Sequence, residues 1–328
     1  MRRSLRQLLL IGRMTALEGL QQPICLLLTL TCVLATILQP FLQLHSFGEE
    51  GRMARDGGLA FMLVFGLFVA GFTSGSTLAE ELRSGTAATT LAKPVGRLTF
   101  IIGKWLGVVV GLAVFCTIST CATLLAERTA EHTIETAHFA GSIIDRFAGL
   151  GTIAAIVIAL ALGALLNFRR STRFSLATTL TLLAGLPLVI LLCGLIDRTG
   201  SLLPAYSLQV NLRLLPAAAL IFMLLILYAA VATALSTRLP TAVTLLLCAL
   251  LLFIGFLSDS WLGQSTSVIG RLAYSLIPDV QHFWLADAIA RQGRIPLRYL
   301  AHAAVYTLSM SSLVLGIGYA AFRTRDVG

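Results

Sequence analysis

An all-α, polytopic membrane helix bundle is the fold class this sequence predicts, and three observations predict it. Hydrophobic residues make up 57% of the chain against 12% charged, and the mean hydropathy of +0.89 lies far from that of a soluble domain. Eight apolar runs each reach the roughly 20 residues that a helix needs to cross a bilayer. The charged residues fall almost wholly between those runs. The net charge of +9 is not a nucleic-acid footprint, because the basic residues are scattered and not gathered with aromatics on one face.

Residues 1–22 carry Arg2, Arg3, Arg6 and Arg13 around Leu5, Leu8, Leu9, Leu17 and Leu20. That spacing predicts an amphipathic cytoplasmic helix lying on anionic headgroups. The apolar run 8–11 is too short for a signal peptide, so the segment is expected to be retained. A membrane domain, 23–328, follows. Its spans are expected at 23–44, 59–79, 105–125, 147–166, 174–196, 214–235, 239–257 and 299–322. All six cysteines, Cys25, Cys32, Cys116, Cys121, Cys193 and Cys248, fall inside apolar runs without a CxxC pair, and read as buried free thiols.

Placing both termini in the cytoplasm puts Arg2, Arg3, Arg6, Arg13, Arg83, Lys93, Arg97, Lys104, Arg169, Arg170, Arg173, Arg238, Arg323 and Arg325 inside, fourteen of the 24 basic residues. Of the 15 acidic residues only Glu18, Glu80, Glu81 and Asp326 fall inside. The bias satisfies the positive-inside rule, which rests on Lys and Arg. The longest outer connection, 258–298, mixes Trp261, Tyr274, Phe283 and Trp284 with Arg271, Asp279 and Asp287. Such a mixture suits short helices at the extracytoplasmic interface.

The loop between the second and third spans, 80–98, carries the densest chemistry. Ser84 or Thr86 can cap a helix through residues 87–93, Lys93 suits its negative end, and Pro94 stops it. About two turns then lie across the mouth of two spans. Glu80 and Glu81 sit at the carboxyl end of a helix, where the macrodipole disfavours carboxylates, so basic groups belong near them. Two readings stand side by side: neutralisation within the loop by Arg83, Lys93, Arg97 or Lys104, and a docking knob for a soluble partner.

The string Glu80-Glu81, Ser84-Gly85-Thr86, Leu91, Lys93-Pro94, Arg97 and Gly103-Lys104 resembles the loop of ABC-2 type permeases, the membrane-spanning subunits of ABC exporters. There an acidic pair, a GT step, a K-P-x-x-R turn and a GK recur in this order. The resemblance covers about twenty-five residues, and beyond them only the pattern of spans. It implies that the short helix is a coupling helix fitting a cleft of a separate ATPase subunit. Glu80, Glu81, Gly85, Thr86, Lys93, Pro94, Arg97 and Lys104 would then be the coupling residues. Pro278 to Phe283, before the last span, also resembles the end of such permeases.

The chain has no energy source of its own that its residues reveal. Gly96 and Gly103 are seven apart and Lys104 precedes Trp105, so there is no P-loop, and any ATP is expected on the partner. Apart from His302, the expected spans hold no titratable group with which to use an ion gradient. No catalytic constellation is evident. Glu131, His132 and His138 lack a metal-ligand spacing and read as a solvated loop, so no metal or cofactor is expected.

Gly103, Gly107 and Gly111 recur every four residues, and Gly71 and Gly75 repeat the device, which predicts close packing of spans two and three against each other, with a homodimer seam as the alternative. The resemblance implies an exporter permease in the inner membrane, working as a dimer or beside a sister permease with two ATPase subunits. The alternative is a non-transporting membrane scaffold that couples an ATPase to an envelope partner.

Overall fold

A computed structural model describes residues 2–42, 49–79, 96–130, 132–136, 139–143, 145–196, 206–207, 209–261, 280–285 and 295–323. The described chain is helical throughout apart from one short hairpin. Its helices are α1 (Arg2–Leu20), α2 (Pro23–Leu42), α3 (Glu50–Ser74, prolonged by a π turn Gly75–Ala79), α4 (Arg97–Thr129), α5 (Arg146–Arg170), α6 (Phe174–Cys193), α7 (Leu214–Ser236), α8 (Thr241–Trp261) and α9 (Leu297–Arg323). Among the described residues eight helices, α2 to α9, are long and apolar enough to cross a membrane. The protein is a multi-pass membrane helix bundle.

Helix α4 is longer than the expected span 105–125. Its 33 residues extend about 50 Å against a hydrocarbon core of about 30 Å. Its longest uncharged run is 105–126, with Arg97 and Lys104 before it and Glu127 and Arg128 after it. In the hairpin, β1 (His132–Thr136) pairs antiparallel with β2 (Phe139–Ile143), Ile134 facing Gly141. His132 thus belongs to a strand, while Glu131 and His138 lie outside the described residues.

Two compact units divide the chain. One consists of Leu20–Phe65 and Ala113–Ala218. Its α5 and α6 are joined by a turn in which Ser171 adopts the left-handed conformation (φ 52°) and donates its N–H to Asn167 O. Asn167 Nδ2 in turn donates to Thr172 O at 2.8 Å. The helices run antiparallel with small residues in contact: a methyl group at Gly151 would stand 3.0 Å from Val189 Cγ1, and one at Gly185 3.7 Å from Ala155 Cβ. Such close approach is how helices associate where lipid removes the hydrophobic incentive. Thr29, Thr36, Thr120, Thr123, Thr152 and Thr179 return their hydroxyls to the carbonyl four residues earlier, so each of these polar side chains is satisfied within its own helix.

The other unit consists of Met1–Gly19, Gly66–Leu112 and Ala219–Gly328. Its core gathers Leu78, Phe100, Ile101, Ala230, Leu315 and Phe322, with Ile11 and Trp105 packed against it. At the 258–298 segment, Phe283 of a short 3-10 turn (Gln281–Phe283) is buried. Its ring lies 6.0 Å from that of Tyr306. Gln281 donates to Phe256 O at 3.2 Å and Tyr299 to His282 O at 2.6 Å, seating the turn on α8 and α9. Residues 262–279 and 286–294, which held most of the expected interfacial helices, lie outside the described residues.

The six cysteines are free; five are buried and Cys121 is half-buried.

Candidate functional site

Both stems of the 80–98 loop belong to the second unit and meet at Lys104. Helix α3 is prolonged by the π turn Gly75–Ala79. Two turns into α4, Lys104 is buried, and its Nζ donates to Thr77 O in that turn at 3.0 Å. A cation at a helix's carboxyl end is favoured by the macrodipole. The same ammonium lies 3.8 Å from Glu18 Oε2 of α1 and 5.8 Å from the centroid of the Phe100 ring. One side chain therefore ties the outgoing stem, the returning stem and the N-terminal helix.

Arg97, the first residue of α4, reaches the far end of the chain. Its Nη1 donates to Arg323 O at 2.8 Å, and its guanidinium lies 5.7 Å from the Phe322 ring centroid. Phe322 is stacked on Phe100 (6.3 Å, 20°). Arg238, in the turn after α7, donates through Nε and Nη2 to Ala321 O at 3.1 and 2.6 Å. Two guanidinium groups thus donate to carbonyls in the last turn of α9, the end at which a helix dipole favours cations. Trp105 Nε1 adds a bond to Ile226 O of α7 at 3.4 Å, and Ser74 and Thr233 share one between α3 and α7 at 3.4 Å.

Helix α1 completes the platform. A methyl group at Gly107 would lie 2.6 Å from Gly12 O and 2.5 Å from Thr15 Cβ, and one at Gly103 2.8 Å from Ile11 Cγ2. This corrects the expected partner of the glycine stripe: α4 packs on α1 there, not on span two. Gly71 and Gly75 face Leu245 and Thr241 of α8, and Gly111 has nothing within 4 Å of the place a methyl would take. The stripe signals that a backbone comes close; it carries no information on which one. On its other side α1 exposes Leu9, Leu10 and Met14 beside Arg6 and Arg13, the composition of a helix lying in a membrane interface.

No protein-family model matches the chain, and the search of curated proteins returned no match either. What can be said of the site rests on its residues.

Of the expected coupling residues, Arg97 and Lys104 are described, and both are engaged at the loop's base. Lys104 is too buried to present its side chain to a soluble partner. Glu80, Glu81, Gly85, Thr86, Lys93 and Pro94 lie outside the described residues. Sequence reasoning did not find Glu18, Thr77, Arg238 and Phe322. Glu18 alone left a trace, as the one carboxylate among four arginines in the first helix. Among the described residues no group of three or more His, Cys, Asp or Glu side chains could hold a metal ion. Polar contacts and one aromatic stack join α1, α3, α4 and α9 around Lys104 and Arg97.

Proposed function

We propose that the chain is the membrane-spanning permease subunit of an ABC-2 type exporter, driven by ATP bound and hydrolysed on separate ATPase subunits. The observation that carries this reading is the ordered string from Glu80 to Lys104 between two spans, with its stems gathered on a buried ammonium. The charge bias between the spans supports a cytoplasmic loop and cytoplasmic termini. Closure of the ATPases would press on residues 87–93; Lys104 would pass the movement to α3 and α1, and Arg97 to the end of α9. A second copy or a sister permease would complete the substrate path in the inner membrane.

The test is purification of the tagged chain from its native membranes in mild detergent. Co-elution of a P-loop ATPase, whose hydrolysis rate changes when the permease is present, is the expected result. A chain that elutes intact without any such ATPase, at a density where neighbouring membrane complexes survive, overturns the assignment.

A further inference from the structure

The turn between α5 and α6 presents an arginine where helix electrostatics disfavour one. Arg169 and Arg170 close the carboxyl end of α5, where cations suit the dipole. Arg173 stands instead at the N-cap of α6, at the positive end of a 20-residue helix, and its side chain makes no cap hydrogen bond. Asn, Asp, Ser or Thr is the usual residue there, supplying an acceptor to the first N–H groups. Among the described residues none of the three arginines has an ion-pair partner, and 167–175 contains no carboxylate. Asp145, the nearest carboxylate upstream in sequence, is engaged with Arg128, and Glu18, shortly before Gln21, with Lys104. An uncapped helix start and an unpaired guanidinium together form a place for an anion.

Beside this turn a groove of about 540 Å³ opens between the start of α2 and the start of α6, within the range of about 300–1,000 Å³ that ligand pockets occupy. Its walls are Leu26, Leu27, Leu30 and Phe174, with Arg173 and Asn167 at the rim. Ser175 Oγ donates to Gln21 O at 3.0 Å, which fixes the α1–α2 connection against α6 and holds the rim in place. Leu27 is 64% exposed and Phe174 38%, so apolar surface stays uncovered immediately below the charged rim. A basic rim over an apolar groove between membrane helices matches one molecule in both halves, an anionic phospholipid.

We infer that the groove between α2 and α6 binds one anionic phospholipid, its phosphate held by Arg173 and the amino end of α6 and an acyl chain laid along Leu26, Leu27, Leu30 and Phe174. The N–H groups of the first turn of α6 gain the acceptor they lack, and Arg173 gains its counter-charge. Arg169 and Arg170 add to the local field without touching the phosphate.

Native mass spectrometry of the detergent-purified protein, mixed with dioleoylphosphatidylglycerol or dioleoylphosphatidylcholine, tests this. Wild type should retain one phosphatidylglycerol in preference to phosphatidylcholine. Arg173→Gln should lower phosphatidylglycerol retention about fivefold, as expected for one cation near a membrane surface, and Arg173→Lys should lose less. Leu27→Trp fills the groove at an exposed position and should abolish retention with Arg173 intact; it decides the matter if Arg173→Gln elutes aggregated. Inorganic phosphate should not displace the lipid. Equal retention of both lipids by wild type, unchanged retention in a well-folded Arg173→Gln or Leu27→Trp protein, or displacement by phosphate alone overturns the proposal.

Discussion

Arg128 donates from Nε to Asp145 Oδ2 at 2.6 Å, and both side chains are withdrawn from solvent. Each partner also closes a helix end. Asp145 is the N-cap of α5 and accepts from Ala148 N at 3.0 Å, while Arg128 donates to Cys193 O at 2.7 Å and Ile196 O at 2.8 Å at the end of α6. The acid meets the positive end of one helix and the base the negative end of its antiparallel neighbour, so both charges are stabilised twice. Next to them Arg55 lies 3.6 Å from Glu127 Oε1, which also accepts from Asn211 at 3.0 Å.

Removing one member of the Arg128–Asp145 pair leaves a buried charge uncompensated. Arg128→Met or Asp145→Ala should each cost about 3–5 kcal/mol. The double variant should cost distinctly less than the sum, because neither charge is then stranded. Thermal unfolding of the four proteins in one detergent measures the coupling, and strictly additive costs would show that the pair is not a unit.

The glycines of α4 supply a matched comparison. Gly107 abuts Gly12 O and Thr15 of α1, so Gly107→Leu should force α1 away and cost about 1–3 kcal/mol or more. Gly111 has nothing within 4 Å of the place a methyl would take, and Gly111→Ala should be near neutral on the same helix, where Gly107→Ala is not. Equal stability of the two alanine variants would remove the close approach of α1 and α4 from the account.

Hydropathy located all eight spans because crossing a bilayer imposes a local, continuous requirement that a window of residues satisfies on its own. The expected 23–44 and 174–196 agree closely with Pro23–Leu42 and Phe174–Cys193. Residues 105–125 fell short of Arg97–Thr129, since Arg97, Lys104 and Arg128 looked like loop charges. Lys104 and Arg128 lie within the helix because protein buries and pairs them, while Arg97 opens it half-buried. The base of the loop was less legible for a related reason. Arg97 meets a carbonyl 226 residues away and Lys104 one 27 away, and nothing in the local pattern of either end announces the other. The hairpin of β1 and β2 escaped notice inside a short polar connection.

Orientation is open to a direct experiment. The protein's own cysteines are free and mostly buried, so a cysteine-free background is a mild change. Single cysteines at Ser84 and Ser171 should resist an impermeant thiol reagent in intact cells, whereas those at Ser46 and Ser267 should react. Labelling of Ser84→Cys from outside would invert the topology and with it the cytoplasmic loop.

The function of Glu80 and Glu81 can be separated from their effect on folding, because the platform beneath them is held by other groups. Arg97 is occupied by Arg323 O and the Phe322 ring, and Lys104 holds Thr77 O and Glu18 whatever else it meets. A two-turn helix at a membrane surface contributes little buried area, so the Glu80→Lys, Glu81→Lys protein should insert and fold almost normally. If the carboxylates serve only to neutralise a basic neighbour such as Lys104, exchanging the charges, with Lys104→Glu added, should restore function. If they hold the loop against an ATPase, that exchange fails, while a compensating charge change in the ATPase cleft restores it. The second outcome is the one expected: normal accumulation in the membrane, weakened ATPase association in detergent pull-down, and loss of substrate-stimulated ATP hydrolysis. Full ATPase binding and turnover in the doubly reversed protein, at normal expression, would separate the acidic pair from coupling altogether.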